Sequence, residues 1–171
     1  MEFTHENAII WFDNYFAAFN KNAGPLESVP EMMRYFTPDL EFWPYNMAAG
    51  SVPRPSSRDQ LLMTMVHPGL HEHLEPREYI IDPKRMVVVV QFQLSFTDEV
   101  TGAKWPPRQA SAHYHLVNDE NTGFKIKKIQ YFTEASVPET TSPTMREIWK
   151  KYKDKALEEL ATNWIKSPYK H

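Results

Sequence analysis

The chain has 171 residues, of which 42% are hydrophobic and 13% aromatic, so it is long enough for one sizeable core and too short to favour two independent domains. Its 19 basic and 22 acidic residues are well mixed and give a formal net charge of −3. This balance excludes the one-signed surface that nucleic acid, an anionic membrane or a polyanionic substrate would need. The sequence contains no cysteine, which excludes disulfides, thiolate nucleophiles and zinc–thiolate sites and fits a reducing compartment.

The amino terminus lacks the features of a secretory signal. The stretch MEFTHENAIIWFDNYFAAF carries Glu2, Glu6 and Asp13 and has neither a basic start nor an uninterrupted apolar run. No window approaches the roughly 18 apolar residues of a membrane span. We therefore expect a cytoplasmic protein with a single domain over residues 1–171, and neither a nucleic-acid nor a membrane partner.

Three helices are predicted before the main run of strands, each beginning at a capping residue. The first covers residues 4–22, with Thr4 as N-cap and apolar residues recurring about every 3.6 positions. The second starts after Ser28 and ends before a proline. The third starts after Ser57 and reaches about Val66. In the last two, a glutamate or glutamine three residues after the serine completes a capping box.

Strand character dominates the second half of the chain. A short strand, PDLEFWPY, precedes the third helix, and four longer strand-like segments follow it from His71, joined by turns at DPK, DEVTGAKWPP and NDENTG. In the second of these four, alternate positions from Met86 to Phe96 form one entirely apolar face, and the positions between them form a mixed face. We expect the apolar face to meet the helices and the mixed face to meet solvent or a partner subunit.

An amphipathic C-terminal helix is predicted over about residues 142–165, from apolar residues spaced three and four apart. Helices followed by a meander of strands indicate an α+β domain, in which helices cover one face of a curved antiparallel sheet.

The order of these elements resembles the nuclear transport factor 2-like superfamily, in particular its SnoaL-like and scytalone dehydratase-like enzymes. The resemblance covers about residues 6–136 and rests on the element order, the proline after the second helix and the last strand, GFKIKKIQYFTE. It implies a cone-shaped α+β barrel with a mostly apolar internal pocket, and commonly a homodimer formed through the outer sheet face. It also implies a cofactor-free isomerase, cyclase, dehydratase or hydrolase that uses placed acids and bases on a small polyketide-, terpenoid- or alkaloid-like molecule.

Three residues form the predicted catalytic set. The resemblance to scytalone dehydratase-like enzymes matches His71 with Ser111 or His113, and a histidine serves as general acid or base near neutral pH. Glu134 closes the last strand where many SnoaL-like proteins carry an acidic residue that faces the pocket, and an apolar cavity favours the protonated form of a carboxylate. Phe96 stands where that dehydratase has a further histidine, which argues against strict dehydratase chemistry.

The predicted substrate-binding residues are polar groups that would hold ligand oxygens and aromatic rings that would line the pocket. They are Arg34, Tyr45, Tyr131, Ser111, Trp43, Phe96 and Trp105. An inward guanidinium binds an oxyanion, and tyrosine hydroxyls stabilise an enolate. Trp105, held between strands in KWPPR, is the candidate for a lid.

The stretch SAHYHLVND leaves two alternatives open, because neighbouring residues in a strand face opposite sides. If Ser111 and His113 face inward, His113 is a candidate proton shuttle. If they face outward, Tyr114 lines the pocket, and His113 and His115 lie at a dimer face.

A metal site is a further alternative. His71, His73 and Glu78 in HEHLEPRE have the His-x-His-x4-Glu spacing of cupin-type sites. The glycines expected around such a motif are missing, and helices precede the strands, so we predict neither a metal nor a cofactor. A non-catalytic small-ligand-binding protein, or a dimeric partner-binding protein, stays possible on the same fold.

Overall fold

The computed structural model describes residues 2–22, 29–46, 55–65 and 69–133, together with 147, 150 and 151. The helices of this part are α1 (His5–Asn22), α2 (Val29–Met33) and α3 (Arg58–Met65). Its strands are β1 (Phe36–Asn46), β2 (Ser56–Ser57), β3 (Leu70–Asp82), β4 (Val87–Asp98), β5 (Arg108–Asp119) and β6 (Gly123–Thr133). None of the described helices is both long and apolar enough to cross a lipid bilayer. The C-terminal helix predicted over 142–165 lies outside the described residues apart from three helical positions, so it stays a prediction.

Capping hydrogen bonds confirm two of the three predicted helix starts. At α1, the Thr4 hydroxyl accepts the backbone N–H of Asn7 over 3.2 Å. At α3, the Ser57 N–H donates to Gln60 Oε1 over 2.8 Å, and the Gln60 N–H donates to Ser57 Oγ over 3.3 Å. This is a reciprocal capping box, which satisfies donors that the first helical turn leaves without partners. Ser28 lies outside the described residues, so the remaining cap stays a prediction.

The strands form one curved sheet in the order β2-β1-β6-β5-β4-β3. The four long strands of the predicted meander pair antiparallel in sequence order. The sheet is mixed rather than wholly antiparallel, because β1 runs parallel to β6, from Phe36 opposite Ile126 to Asn46 opposite Thr133. The first long strand, β1, therefore packs beside the last, β6. Strand β3, which follows α3 in the chain, lies at the opposite edge of the sheet. The α+β class with helices on a curved sheet is confirmed.

The sheet has an inner face, which faces α1, and an outer face. The inner positions of β4 are buried and apolar, as the alternation between Met86 and Phe96 predicts. Aromatic residues of α1 pack onto this face: the Phe12 ring lies 5.0 Å from that of Tyr114, and the Phe16 ring lies 6.1 Å from that of Phe92. The core is therefore a layer of aromatic side chains between α1 and the sheet.

Each of the three turns of the meander is held by an aspartate that ends its strand. One carboxylate oxygen of Asp82, Asp98 and Asp119 accepts two backbone N–H groups of the following turn, at 2.8–3.1 Å. Aspartate favours such turns because its short side chain reaches the backbone two and three residues ahead. The strands are therefore joined at the three predicted places, DPK, DEVTGAKWPP and NDENTG.

We expect Asp119→Ala to lower the free energy of unfolding by about 1–2 kcal/mol, because it removes several hydrogen bonds of one turn. The Thr122 backbone N–H, then Lys125 and the Thr122 hydroxyl, lower the pKa of Asp119 to about 2. A lowered folded pKa gives stability that is present above about pH 4 and is lost as the pH falls towards the folded value. Urea unfolding of both proteins at about pH 7 and pH 3 checks this. The difference should shrink at the lower pH, and a constant difference would contradict the role of the charge.

Candidate functional site

Strand β5 resolves the alternatives that the sequence leaves open. Ala112 and Tyr114 are buried on the inner face, 0% and 3% exposed, whereas Ser111, His113 and His115 are only half-buried and lie on the outer face. The physical reason is that α1 packs its aromatic residues against β5, where the tyrosine ring completes the core. Of the two alternatives, the one with Tyr114 inside therefore holds, and Ser111 and His113, two of the predicted site residues, face outward.

His113 lies in a shallow groove on the outer face, which we call the outer groove. It has a volume of about 680 Å³ and is lined by Gln91, Gln109, Ala110, Ser111, His113, Phe132 and Thr133. The imidazole lies 4.9 Å from the Phe132 ring. Partial burial, followed by the charge of His115, lowers the pKa of His113. The neutral ring therefore prevails at neutral pH.

Two predicted substrate-binding residues of β1 also lie on the outer face. The register with β6 places Trp43 beside Gln130 and Tyr45 beside Phe132. The Tyr45 ring stacks on Phe132 with centroids 4.6 Å apart. The Trp43 indole N–H donates to Glu41 Oε2 over 3.1 Å. The parallel pairing of β1 therefore carries both rings away from the inner face.

The structure does not bring His71, His113 and Arg34 together. His71 pairs with Thr97 of β4, whereas His113 pairs with Val89. These two β4 residues are eight positions apart, which is roughly 26 Å along the strand. His71 lies on the outer face with its ring 6.4 Å from that of His73. Arg34 follows α2 and lies in a crevice beside α1. The three residues therefore belong to separate parts of the surface.

Glu134 lies outside the described residues, so its predicted role stays a prediction. Within the described ranges, no group of three His, Cys, Asp or Glu side chains is placed to hold a metal ion. In the cupin-like spacing, Glu78 lies opposite Gln91 of β4, whereas His73 and His71 lie opposite Ser95 and Thr97. The carboxylate is therefore at least four strand residues away from the histidines.

The three remaining predicted residues lie on the inner side. Tyr131 lies opposite Ala112, with its ring 6.1 Å from that of Phe92. Phe96 and Trp105 pack edge to face at 5.9 Å and are 4% and 2% exposed. Trp105 is thus a buried part of the core rather than a lid, because the chain after β4 folds its indole back onto Phe96.

The sequence interpretation missed two polar residues that face the same interior. Glu72 of β3 lies opposite Phe96, on the same side as its buried neighbours Leu70 and Leu74. A signal was present, since a glutamate interrupts an alternation that is otherwise apolar. Tyr15 of α1 is 3% exposed. The sequence gives no signal for it, because it lies among other aromatic residues of α1 whose spacing is typical of core packing.

Glu72, Tyr15, Tyr114 and Tyr131 form what we call the inner polar cluster. Burial, and then the negative charge of Glu72, raises the pKa of both Tyr15 and Tyr131. Burial also raises the pKa of Tyr114, whose ring lies 5.9 Å from that of Tyr15. The three phenols therefore stay protonated at neutral pH and act as hydrogen-bond donors. Glu72 is the member of the cluster that can accept a proton.

The surroundings of the cluster are apolar and aromatic. Phe42 lies 6.3 Å from the Tyr131 ring, and Phe92 flanks the same ring. Tyr15 and Tyr114 are buried, whereas Glu72 and Tyr131 are partly exposed. Glu72 and Tyr131 are therefore the two members of the cluster that solvent reaches.

No protein-family model matches the chain, and no curated protein matches it in sequence. Solved structures match its fold. Nuclear transport factor 2 from Cryptosporidium parvum is 13% identical, with a TM-score of 0.52 over 72% of this chain and 88% of that one. AclR, a putative hydroxylase from Streptomyces galilaeus, is 13% identical, with a TM-score of 0.54 over 75% and 79%. A putative polyketide cyclase from Xanthomonas campestris pv. campestris is 13% identical, with a TM-score of 0.50 over 84% and 97%. The chain has the nuclear transport factor 2-like fold, with its helices on the inner face of a curved mixed sheet.

Proposed function

We propose that the protein is a cofactor-free enzyme that performs general acid–base chemistry on a small polycyclic or aromatic secondary metabolite at the inner polar cluster. The observation that supports this most is the convergence of one carboxylate and three protonated phenols on an apolar face. Ligand sites commonly combine an apolar lining with a few placed polar groups. The reaction class is isomerisation, cyclisation or dehydration.

In the proposed reaction, Glu72 removes a proton from a carbon next to a ligand carbonyl. The electrons of the C–H bond move into an enolate, whose oxygen gains negative charge. The neutral Tyr131 hydroxyl donates a hydrogen bond to that oxygen and so stabilises the transition state. Return of the proton at another carbon gives an isomer. Attack of the enolate carbon on a second carbonyl closes a ring, and the new alkoxide takes the proton back from Glu72. Expulsion of a β-hydroxyl, which takes the proton back from Glu72, releases water.

The other members of the cluster hold these two groups in place. Tyr15 and Tyr114 are buried and lie between α1 and the sheet, so their positions are fixed by packing. Phe42, which is partly exposed, has its ring 6.3 Å from that of Tyr131 and offers an aromatic surface to a ligand. In the proposed complex, a planar ligand has its carbonyl at Tyr131 and its acidic carbon towards Glu72.

We expect Tyr131→Phe to lower catalysed proton exchange by about 100-fold, because it removes the donor to the enolate oxygen and leaves the ring. The assay is deuterium exchange at the α-carbon of 1-tetralone, followed by NMR. Tyr45→Phe is the matched control, since Tyr45 stacks on Phe132 on the outer face. Equal losses in the two variants would contradict the assignment.

We also propose that the outer groove is covered by a second copy of the chain in a homodimer. The outer face carries the stacked rings of Tyr45 and Phe132 and the exposed Ile80, which lies in register with Val89 and His113. Because the pKa of His113 is lowered, its neutral form is compatible with burial.

Phe132→Asp should convert the dimer to a monomer, because it places a charge inside the proposed interface. Analytical ultracentrifugation at several protein concentrations measures this. Ile10→Asp on α1, at a side chain that is 60% exposed, is the control and should leave the association unchanged. A wild-type protein that sediments as a monomer at all concentrations would rule the homodimer out.

A further inference from the structure

A second concavity lies outside the sheet interior, between α1, α2 and the turn from β5 to β6. It has a volume of about 810 Å³, and its described lining includes none of the residues of the inner polar cluster. Aromatic rings and charged groups share this lining, among them Trp11, Tyr35, Lys21, Arg34 and Glu31. We call it the α1–α2 crevice.

We propose that the α1–α2 crevice is a second ligand site, for a small organic anion with a flat aromatic body, such as an aryl carboxylate. The described lining contains two cationic side chains, Lys21 and Arg34, and one carboxylate, Glu31, so it carries one net positive charge. Trp11 and Tyr35 add a small apolar surface beside these charges, since they are 7% and 5% exposed. The proposal concerns a separate site and does not rest on the function proposed for the inner polar cluster.

Arg34 is held in place without using all its donors. Its Nη1 lies 3.1 Å from Glu31 Oε1, and its Nη2 donates to the Tyr35 hydroxyl over 3.3 Å. A guanidinium has five N–H donors, so a ligand carboxylate can bind as well. The side chains of Arg34 and Glu31 are 54% and 43% exposed, and ion pairs exposed to this degree contribute little to stability. A bound anion can therefore share Arg34 at small cost.

The aromatic wall of the crevice is fixed by hydrogen bonds. The Trp11 indole N–H donates to the Thr122 carbonyl over 3.2 Å, and Thr122 is itself held by the Asp119 carboxylate. The Tyr35 carbonyl accepts the Ile126 N–H over 2.8 Å. The two rings meet edge to face at 5.6 Å. A wall formed in advance reduces the ordering cost of binding a flat ligand.

The test uses 2-naphthoate as the probe on the full chain. Calorimetry gives its affinity, and the indole N–H signal of Trp11 in a heteronuclear NMR spectrum, assigned with Trp11→Phe, gives its location. We expect the double variant Lys21→Ala, Arg34→Ala to weaken binding at least 10-fold and to abolish the shift of the Trp11 signal. Lys127→Ala is the control, because Lys127 is also an exposed cation in an ion pair, with Asp39, and does not line the crevice.

Three results would overturn the proposal. They are a Trp11 signal that does not move at millimolar 2-naphthoate, an affinity that the double variant leaves unchanged, and equal binding of the uncharged 2-naphthylmethanol. Glu72→Gln separates the two sites. If it changes the affinity for 2-naphthoate and the double variant does not, the probe binds at the inner polar cluster and the crevice proposal fails alone.

Discussion

Replacing Glu72 by glutamine should slow catalysed α-proton exchange of 1-tetralone by about 100-fold or more, the usual contribution of a general base. Glutamine keeps the shape of the side chain but cannot accept the proton. The stability of the fold should change little, because Glu72 is only partly buried and the substitution is nearly isosteric. NMR of deuterium uptake gives the rate, and urea unfolding gives the stability.

Glu75→Gln is the matched control for this experiment. Glu75 belongs to the same strand, is exposed on the other face and pairs with Arg77 at 2.8 Å. Its loss should leave the exchange rate unchanged. Equal rates in wild type and Glu72→Gln would contradict the base assignment. Binding of the probe by wild type without any exchange would instead favour the non-catalytic ligand-binding alternative.

Phe12→Ala should lower the free energy of unfolding by about 3–5 kcal/mol, the cost of emptying a phenylalanine site in a packed core. Phe12 is fully buried and its ring touches those of Tyr114, Phe16 and Tyr79, at 5.0, 6.1 and 6.3 Å. It is therefore the residue through which α1 holds the inner face. Urea unfolding at about pH 7 measures the loss.

Ile10→Ala on the same helix serves as the control. Because the Ile10 side chain is 60% exposed, this substitution should lower the free energy of unfolding by less than about 0.5 kcal/mol. Exchange activity should also fall in Phe12→Ala, since α1 carries Tyr15 into the inner polar cluster. Similar stabilities of the two variants would show that α1 does not pack on the sheet as described.

Local signals made much of the fold predictable. The cap at Thr4, the capping box at Ser57 and the aspartates that end β3, β4 and β5 act within three or four residues, so the sequence alone reveals them. The apolar alternation of β4 likewise shows which of its faces meets the helices. The class of the fold follows from these elements and their order.

The facing of β5 could not be predicted, because both of its faces mix polar and apolar character. The inner face of SAHYHLV carries Ala112 and Tyr114, and the outer face carries two imidazoles that can be buried or solvated. Contact with α1, which is distant in sequence, decides between them: Phe12 packs against Tyr114. The sequence by itself therefore leaves both facings of His113 open.

The parallel pairing of β1 with β6 is also a non-local feature. It sets which residues of FWPY face inward, and it carries Trp43 and Tyr45 to the outer face. Glu72 is different, because its signal was available in the spacing Leu70, Glu72, Leu74. A glutamate between two buried leucines on one strand face indicates a polar group that faces the interior.

The most direct test of the inner polar cluster as the active site is the position of 1-tetralone in a crystal structure of its complex with the protein. We predict that its ring lies beside Phe42, with the carbonyl within hydrogen-bond distance of the Tyr131 hydroxyl and the α-carbon towards Glu72. Density for the probe only in the outer groove or the α1–α2 crevice, with none at Glu72 and Tyr131, would contradict this assignment.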